Sequence, residues 1–126
     1  MNWRIFRRDR RGATAVEFAL TVPIFILFVV AIIDGAMMMW TQLGLQHGAE
    51  MAARCAAVNT TTCGSDTNIK TYAAAQAYGL SVTSAAYSVS TAACGKTVTG
   101  NYSYPLVFSY VGVSSVALSA KSCFQN

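Results

Sequence analysis

The fold is decided by one stretch near the amino terminus, where a basic tract runs directly into an apolar helix. The tract reads Arg4-Ile-Phe-Arg-Arg-Asp-Arg-Arg11, and after Gly12 the chain continues Ala13-Thr-Ala-Val-Glu-Phe-Ala-Leu-Thr-Val-Pro-Ile-Phe-Ile-Leu-Phe-Val-Val-Ala-Ile-Ile33. At about 1.5 Å per residue, a helix from Ala13 to Trp40 exceeds the roughly 30 Å hydrocarbon core of a bilayer. The sequence therefore predicts a membrane-spanning helix over residues 13–40.

Charge predicts the orientation of this helix. The leader, residues 1–12, holds five arginines and one aspartate, and basic residues that flank a span stay on the cytoplasmic side. Residues 41–126 are therefore expected to form an extracytoplasmic domain. The whole chain carries a formal charge of +4, which equals the charge of the leader, so the remainder is neutral. No nucleic-acid partner is expected, because such a surface needs clustered Lys and Arg.

A cleaved secretory signal peptide is the competing interpretation of the same stretch. It too combines a basic start with an apolar run, but it ends in small residues at the cleavage site. The best candidate here, Asp34-Gly-Ala36, has an acid where a small residue is needed. The sequence therefore favours retention of the helix.

Three features distinguish this helix from an ordinary anchor. Gly12 lies where the basic tract meets the apolar run, Glu17 follows five residues later inside that run, and Phe18 comes next. An ionisable side chain within a membrane span is costly and usually functional, although the cost falls near the edge of the bilayer. The position of Glu17 therefore indicates a role beyond anchoring.

The segment Arg10-Arg-Gly-Ala-Thr-Ala-Val-Glu-Phe-Ala-Leu20, followed by Pro23, resembles the TadE-like pseudopilins of tight-adherence (Flp) pili, which are type IV pilin-like proteins. The resemblance covers residues 7 to about 40. It implies that a prepilin peptidase cuts between Gly12 and Ala13, and that Glu17, Phe18 and Pro23 serve processing or assembly.

The same resemblance implies partners and a location. The partners are the prepilin peptidase, other pilin-like subunits, the pilus assembly machinery and inner membrane lipid. The chain is expected to cross the bacterial inner membrane once, or to enter the extracellular pilus. The major pilin of this family is much shorter than 126 residues, so the extracytoplasmic domain favours a minor pilin-like role.

Two residues of the span permit two interpretations each. Pro23 removes one backbone hydrogen bond, which gives either a plain kink or a flexible point for packing into a filament. Asp34 is either an interfacial residue where the helix leaves the lipid or a buried polar contact with another helix.

The helical pattern continues to Val58, and small residues recur on one face of it. Spacing of four places them in line, so that another backbone can approach closely: Gly44, Gly48, Ala52 and Ala56. Either the domain's own sheet or another subunit could occupy this helix-packing face. His47, the one histidine, is expected to be a surface or polar packing residue.

The rest of the chain predicts an α+β domain with a type IV pilin-like arrangement. A short helix is expected over Ile69–Tyr78, capped by Asp66, Thr67 or Asn68 and ended by Gly79. A period-two pattern from Ala85 onward predicts a small antiparallel three-stranded sheet that packs on the long helix. Its inward positions are Tyr87, Val89 and Thr91, then Val98, Tyr102, Tyr104, Leu106 and Phe108, then Val116, Leu118 and Ala120.

Two further expectations concern the middle strand. It should follow a turn at Cys94-Gly-Lys96, and it should break or face an edge at Pro105, which cannot donate a ladder hydrogen bond. The apolar segment from Leu106 to Val111 is expected to be core, with contact to a partner or to the membrane surface as the alternative.

The cysteines predict disulfides rather than a metal site. Cys55, Cys63, Cys94 and Cys123 all fall in the predicted extracytoplasmic domain, and no close pair of the C-x2-C kind is present. Four cysteines allow three connectivities. Spacing and compartment favour Cys55–Cys63 and Cys94–Cys123, since small extracytoplasmic domains are often stabilised in this way.

No catalytic motif accompanies these features, so neither enzymatic activity nor a cofactor is expected. Two hypotheses remain. The chain is either a minor pilin-like subunit or assembly factor of a tight-adherence pilus, or a membrane-anchored or secreted adhesion or binding module outside any filament. The spacing of Gly12, Glu17 and Phe18 favours the first, because a plain anchor has no use for a buried acid.

Overall fold

The computed structural model of the chain describes residues 11–110 and 112–125, and the side chains of all of these except 11 and 108–110. Residues 1–10, most of the predicted leader, therefore lie outside the described part. Its elements, in chain order, are α1 (Arg11–Val58), α2 (Asp66–Ala75), a 3-10 turn (Ser84–Ala86), β1 (Tyr87–Ala92), β2 (Gly95–Tyr110) and β3 (Val113–Phe124). This is the predicted α+β arrangement of one long helix, one short helix and three strands.

The chain divides into two compact units, Met1–Gly35 and Ala36–Asn126. The described part of the first unit is the amino-terminal portion of α1. Every residue of this portion from Gly12 to Ile33 is exposed or half-exposed. The prediction had this helix begin at Ala13, and Arg11 and Gly12, the first residues that the structure describes, are helical as well.

In the second unit, α1 buries one face. The middle of this face advances in steps of four and three, the spacing that keeps side chains on one side of a helix: Met38, Thr41, Leu45, Gly48, Ala52 and Cys55. Beside them, Gly44, Ala49 and Ala53 are buried as well. Most of these residues are small, so the elements that pack on α1 come close to its backbone.

The short helix α2 lies three residues earlier than predicted at each end. Ser65 is its N-cap, and the Ser65 hydroxyl accepts a hydrogen bond from the backbone N–H of Asn68 at 3.2 Å. Asp66 occupies the first turn, where a carboxylate complements the helix dipole. The helix ends at Ala75, and Gly79, expected directly after the helix, comes four residues later. The predicted cap candidates, Asp66, Thr67 and Asn68, all lie inside the observed helix.

The three strands form an antiparallel sheet in the order β1-β2-β3. Ala92 is paired with Gly95, so the turn between β1 and β2 is Ala93-Cys94 and not the predicted Cys94-Gly-Lys96. Gly95 has φ +118°, and a Cβ there would collide with the carbonyl oxygen of Phe124. Glycine therefore suits this position, both for its positive φ and for its close approach to the end of β3.

Beyond Gly100, β2 continues without β1 as a two-stranded ribbon with β3. The pairing reaches Pro105 opposite Ser115, and the register shifts between Pro105 and Tyr110. Pro105 therefore lies where β2 has one neighbour, in agreement with the predicted edge or break. The core assignment of Leu106–Val111 is wrong at Val107, which is 70% exposed, because β1 pairs with β2 only as far as Gly100 and does not extend to this part of the sheet. The Phe108 side chain and Val111 lie outside the described residues.

The core of the second unit lies between the inward face of the sheet, α2 and the buried face of α1. Its largest fully buried side chains are Tyr87, Leu45, Ile69, Val98 and Thr97. The Tyr87 hydroxyl donates to the backbone oxygen of Leu45 at 3.4 Å. Leu118 and Ala120 complete the predicted inward positions of β3, whereas Thr91 at the end of β1 is exposed.

Candidate functional site

The predicted processing junction lies in the first turn of α1. Gly12 and Ala13 are both exposed, and a Cβ built on Gly12 would meet nothing within 4 Å. The junction is therefore accessible. Glycine is a poor helix former, by about 1 kcal/mol relative to alanine. The helix is therefore easier to unfold locally at Gly12 than it would be with alanine at that position.

Glu17 lies one helical turn after Ala13 and is exposed. Residues four apart are neighbours on a helix surface, about 5–6 Å between their Cβ atoms. A positive group at the amino end of Ala13 would therefore lie within reach of the Glu17 carboxylate. Phe18, next in the chain, is 69% exposed and adds an unpartnered ring beside the acid.

Pro23 lies inside α1, as predicted. Proline cannot donate to the carbonyl four residues earlier, which weakens the helix locally. Just before it, the Thr21 hydroxyl donates to the carbonyl oxygen of Glu17 at 3.0 Å and approaches that of Phe18 at 3.2 Å. The segment that contains Glu17 thus has an altered hydrogen-bond pattern, and the kink and flexible-point interpretations of Pro23 both stay open.

Large apolar side chains cover the surface of the first unit. Among the described residues one helix, Gly12–Val58, has the length and apolar composition needed to cross a membrane, and the apolar part of it is unburied. Phe25, Phe28 and Ile24 are 67–70% exposed. A contiguous apolar surface of this kind in water marks a membrane or protein contact. The helix therefore fits a single-pass membrane anchor.

Asp34 differs from the residues around it because it is only 4% exposed. The two interpretations of Asp34, an interfacial residue or a buried polar contact with another helix, both stay predictions. Thr41, two helical turns later, is also buried, and its hydroxyl donates to the carbonyl of Met37 at 2.8 Å.

The helix-packing face is occupied from within the second unit. A Cβ on Gly48 would lie 2.5 Å from the Tyr87 hydroxyl and 2.6 Å from the Ala73 carbonyl oxygen. A Cβ on Gly44 would lie 2.7 Å from Leu80 and 3.0 Å from the Ala77 oxygen. Ala52 is fully buried and Ala56 half-buried. Of the two interpretations left open, the structure shows the domain's own sheet and α2 on this face.

An aromatic group next to this face was not anticipated. His47 stacks on Tyr78 with ring centroids 4.1 Å apart, and Trp40 lies 6.4 Å from Tyr78. His47 Nδ1 is 2.9 Å from the backbone oxygen of Gln76, so His47 is a polar packing residue. In the sequence, the spacing of seven between Trp40 and His47 already indicates that both lie on one face of the helix. Their shared partner, Tyr78, could not be read from spacing.

Both predicted disulfides are present. Cys55–Cys63 joins the end of α1 to the loop after it, and Cys94–Cys123 joins the β1–β2 turn to the end of β3. Within the described part of the chain, no three His, Cys, Asp or Glu side chains come together as a metal site would require. The Lys96–Asp66 ion pair, 3.3 Å long and solvent-exposed, is a surface contact between β2 and α2 that the sequence analysis did not foresee.

Comparison with known proteins supports the resemblance seen in the sequence. Residues 12–54 match the family model described as TadE-like protein. No curated protein and no solved structure gives a significant match. The matched segment begins at Gly12, contains Glu17, Phe18 and Pro23, and covers most of α1. Residues 12–54 are therefore similar to the TadE-like family, a structural, non-enzymatic kind of protein associated with the tight-adherence pilus system.

Proposed function

We propose that this chain is a minor pilin-like (pseudopilin) subunit or assembly factor of a tight-adherence pilus. In this proposal a prepilin peptidase removes residues 1–12, residues 13–40 span the bacterial inner membrane, and residues 41–126 lie on the extracytoplasmic side. The observation that carries the proposal is the TadE-like match over residues 12–54, in which an exposed Glu17 follows the accessible Gly12–Ala13 bond.

Cleavage would change the electrostatics of the helix start. It would leave Ala13 with a free, positive amine in place of a peptide bond. Inside a membrane or a bundle of apolar helices, an unpaired ion is strongly disfavoured. Glu17 is one turn away and exposed, so its carboxylate can meet the Ala13 amine of the same or a neighbouring chain. The pair would offset the cost of burying each charge without a guaranteed gain in stability.

The uncovered apolar side chains of the first unit support the assembly role. In the bilayer they would contact lipid tails, and in a filament they would contact the same helix of neighbouring subunits. Because both surroundings are apolar, a subunit could move from one to the other without exposing these side chains to water. Glu17 and Phe18 would then provide the specific contacts that lipid cannot.

The two disulfides support the orientation. Disulfides persist in oxidising compartments such as the bacterial periplasm and are rare in the cytosol. All four cysteines are paired, and all lie in the second unit. This agrees with a second unit on the extracytoplasmic side, opposite the basic leader.

The test separates processing from assembly by using two variants of the full chain in a piliated host. Gly12→Leu should keep the leader, as read by intact mass and amino-terminal sequencing of the membrane protein. Glu17→Ala should remain in the membrane but be depleted from sheared pili. Glu17→Asp, which keeps the charge, should restore part of the assembly.

Glu50→Ala is the matched control, because Glu50 is an exposed acid further along the same helix. It should assemble as the parent does. A mature amino terminus other than Ala13 would contradict the processing step. Normal piliation by Glu17→Ala would contradict the assembly step and leave a membrane-anchored module as the better description.

A further inference from the structure

We propose that Trp40 and Tyr78 form a contact with the phospholipid headgroup layer on the extracytoplasmic face of the membrane. The contact would fix the depth at which the second unit rests on the bilayer. This inference rests on the membrane anchor in the proposed function, and it adds a second surface, built by the folded unit itself, that binds lipid.

The two rings form one exposed aromatic pair. Trp40 is 54% exposed and Tyr78 is 52% exposed, although their ring centroids are only 6.4 Å apart. On its other side, Tyr78 stacks on His47, which is in turn held by the Gln76 backbone oxygen. The rings are therefore fixed in position from one side and open to the surroundings on the other.

The backbone at Tyr78 has an unusual conformation. Its φ is +47°, and Tyr78 is the one non-glycine residue with positive φ in the described part of the chain. A bulky side chain in the left-handed region is an energetically unfavourable outlier. Glycine would adopt this conformation freely, as the next residue, Gly79, does at φ +71°. The chain therefore keeps a large aromatic ring at a position that favours glycine, which indicates that the ring has a use.

Distance along α1 identifies the partner as the headgroup layer. From Ala13 to Trp40 an α-helix rises by about 40 Å. A bilayer is roughly 40–45 Å thick when the headgroup regions are included. If the anchor begins at Ala13 on the inner face, Trp40 reaches the outer headgroup region, and Tyr78 lies beside it. Trp and Tyr are enriched at this level, because their rings are apolar and their N–H and O–H groups need polar partners.

The experiment measures depth by fluorescence quenching in vesicles of phosphatidylethanolamine and phosphatidylglycerol. The full chain is used with Trp3→Phe, which leaves Trp40 as the one tryptophan. Bromine atoms are attached to the acyl chains either close to the headgroup or close to the chain end. We expect Trp40 to be quenched more strongly by the shallow bromines than by the deep ones, and to be shielded from aqueous acrylamide.

Tyr78 is tested in the same way with Tyr78→Trp added to Trp3→Phe and Trp40→Phe. We expect the same preference for shallow bromines. Val58→Trp in that background is the matched aqueous control, because Val58 is 72% exposed and lies about 27 Å further along α1. It should be quenched by acrylamide and by neither bromine.

Phe28→Trp in that background separates the two proposals. Quenching of this position by deep bromines would show that the anchor is inserted. If it is quenched and positions 40 and 78 are open to acrylamide, the headgroup contact is wrong, the anchor stands, and the rings face a soluble partner. If it is not quenched, the anchor fails and the headgroup contact fails with it.

Discussion

The two parts of α1 place their apolar residues in opposite ways. Between Val16 and Ile33 the large side chains point outward, with Phe25 and Phe28 68% and 67% exposed. Between Leu45 and Cys55 the buried residues are mostly small, with Ala49 and Ala52 fully covered. One continuous helix thus has large apolar residues outside in its first part and small ones inside in its second.

The difference teaches what each part contacts. Small residues allow a neighbouring backbone to approach the helix, so the second part can pack closely on the sheet and α2 of the same chain. Large branched and aromatic residues gain most when their whole surface leaves water, and nothing in the described part of the chain covers those of the first part. The first part therefore needs an apolar environment from outside, whereas the second part already has one.

A charge in the first part should have the largest effect. In Phe28→Arg, an arginine replaces an exposed aromatic residue near the middle of the span. The substitution should cost about 3–4 kcal/mol of insertion free energy. We expect the chain to shift from the carbonate-resistant membrane fraction to the soluble or degraded fraction. Val58→Arg, at an equally exposed apolar position of the second unit, should stay in the membrane. Equal membrane fractions for the two variants would contradict the comparison.

Loss of the disulfides should affect the second unit alone. In the chain-entropy view, the Cys94–Cys123 link closes the longer loop, with a sequence separation of 29 against 8 for Cys55–Cys63. Cys94→Ser with Cys123→Ser should lower the free energy of unfolding by about 3.5 kcal/mol, and Cys55→Ser with Cys63→Ser by about 2.5 kcal/mol. Urea unfolding of the full chain in detergent, followed by near-ultraviolet circular dichroism, measures both.

Membrane insertion provides the control for the disulfide variants. Both double variants should remain in the carbonate-resistant fraction, because no cysteine lies in the first unit. An equal loss of stability from the two pairs, or a larger loss from the shorter loop, would argue against loop closure as the main cause.

Replacing a glycine of α1 by alanine should change the free energy of unfolding in opposite directions in the two parts of the helix. Gly48→Ala brings a Cβ to 2.6 Å from the Ala73 backbone oxygen, which cannot move without shifting α2. We expect a loss of about 1–3 kcal/mol in unfolding free energy. Gly35→Ala meets nothing within 4 Å and removes a helix-interior glycine, so it should be neutral or stabilise by up to about 1 kcal/mol.

Gly44→Ala adds an intermediate case to this pair of variants. The nearest atom to a Cβ there is the Leu80 side chain at 2.7 Å, which can rotate away, and the Ala77 oxygen is further off at 3.0 Å. Its loss of stability should lie between those of Gly48→Ala and Gly35→Ala. Thermal unfolding of the three variants in one detergent gives the order, and a loss for Gly35→Ala as large as that for Gly48→Ala would remove the distinction.

Patterns that depend on the chain's own periodicity could be predicted from the sequence. The apolar run predicted the long helix, the period-two runs predicted the three strands, and the spacing of the cysteines favoured the pairing that forms. The long helix ended at Val58 as expected. These features are local, or they follow from one constraint such as oxidising conditions.

Features that depend on a contact between distant residues could not be predicted. The N-cap of α2 is Ser65, because its hydroxyl accepts a hydrogen bond from the Asn68 N–H. The sequence offers several polar residues nearby that could cap a helix equally well. The occupant of the Gly48 face is Tyr87, and His47 meets Tyr78 across thirty or more residues of chain. Val107 looked like core because an apolar run does not reveal where the neighbouring strand ends.

The smallest effect concerns Tyr87, the ring that covers Gly48. Burial raises the pKa of the Tyr87 hydroxyl above its usual value of 10.0. The folded state therefore keeps this proton at a pH where the unfolded chain loses it. Stability from this group is fully present below about pH 10, the unfolded pKa, and falls as the pH rises through the folded pKa. Unfolding in urea across the alkaline range, compared with Tyr87→Phe, should show the steeper decline in the parent.

Tyr87→Phe also tests which atoms limit how closely β1 and α2 approach Gly48. At neutral pH it removes one long hydrogen bond, 3.4 Å to the Leu45 oxygen, and should cost about 0.5–1 kcal/mol. It also removes the oxygen that a Cβ at position 48 would meet at 2.5 Å. Gly48→Ala should therefore cost less in the Tyr87→Phe background than alone, while the Ala73 oxygen keeps part of the penalty. Additive losses in this double-mutant cycle would show that the α2 backbone alone limits the approach to α1.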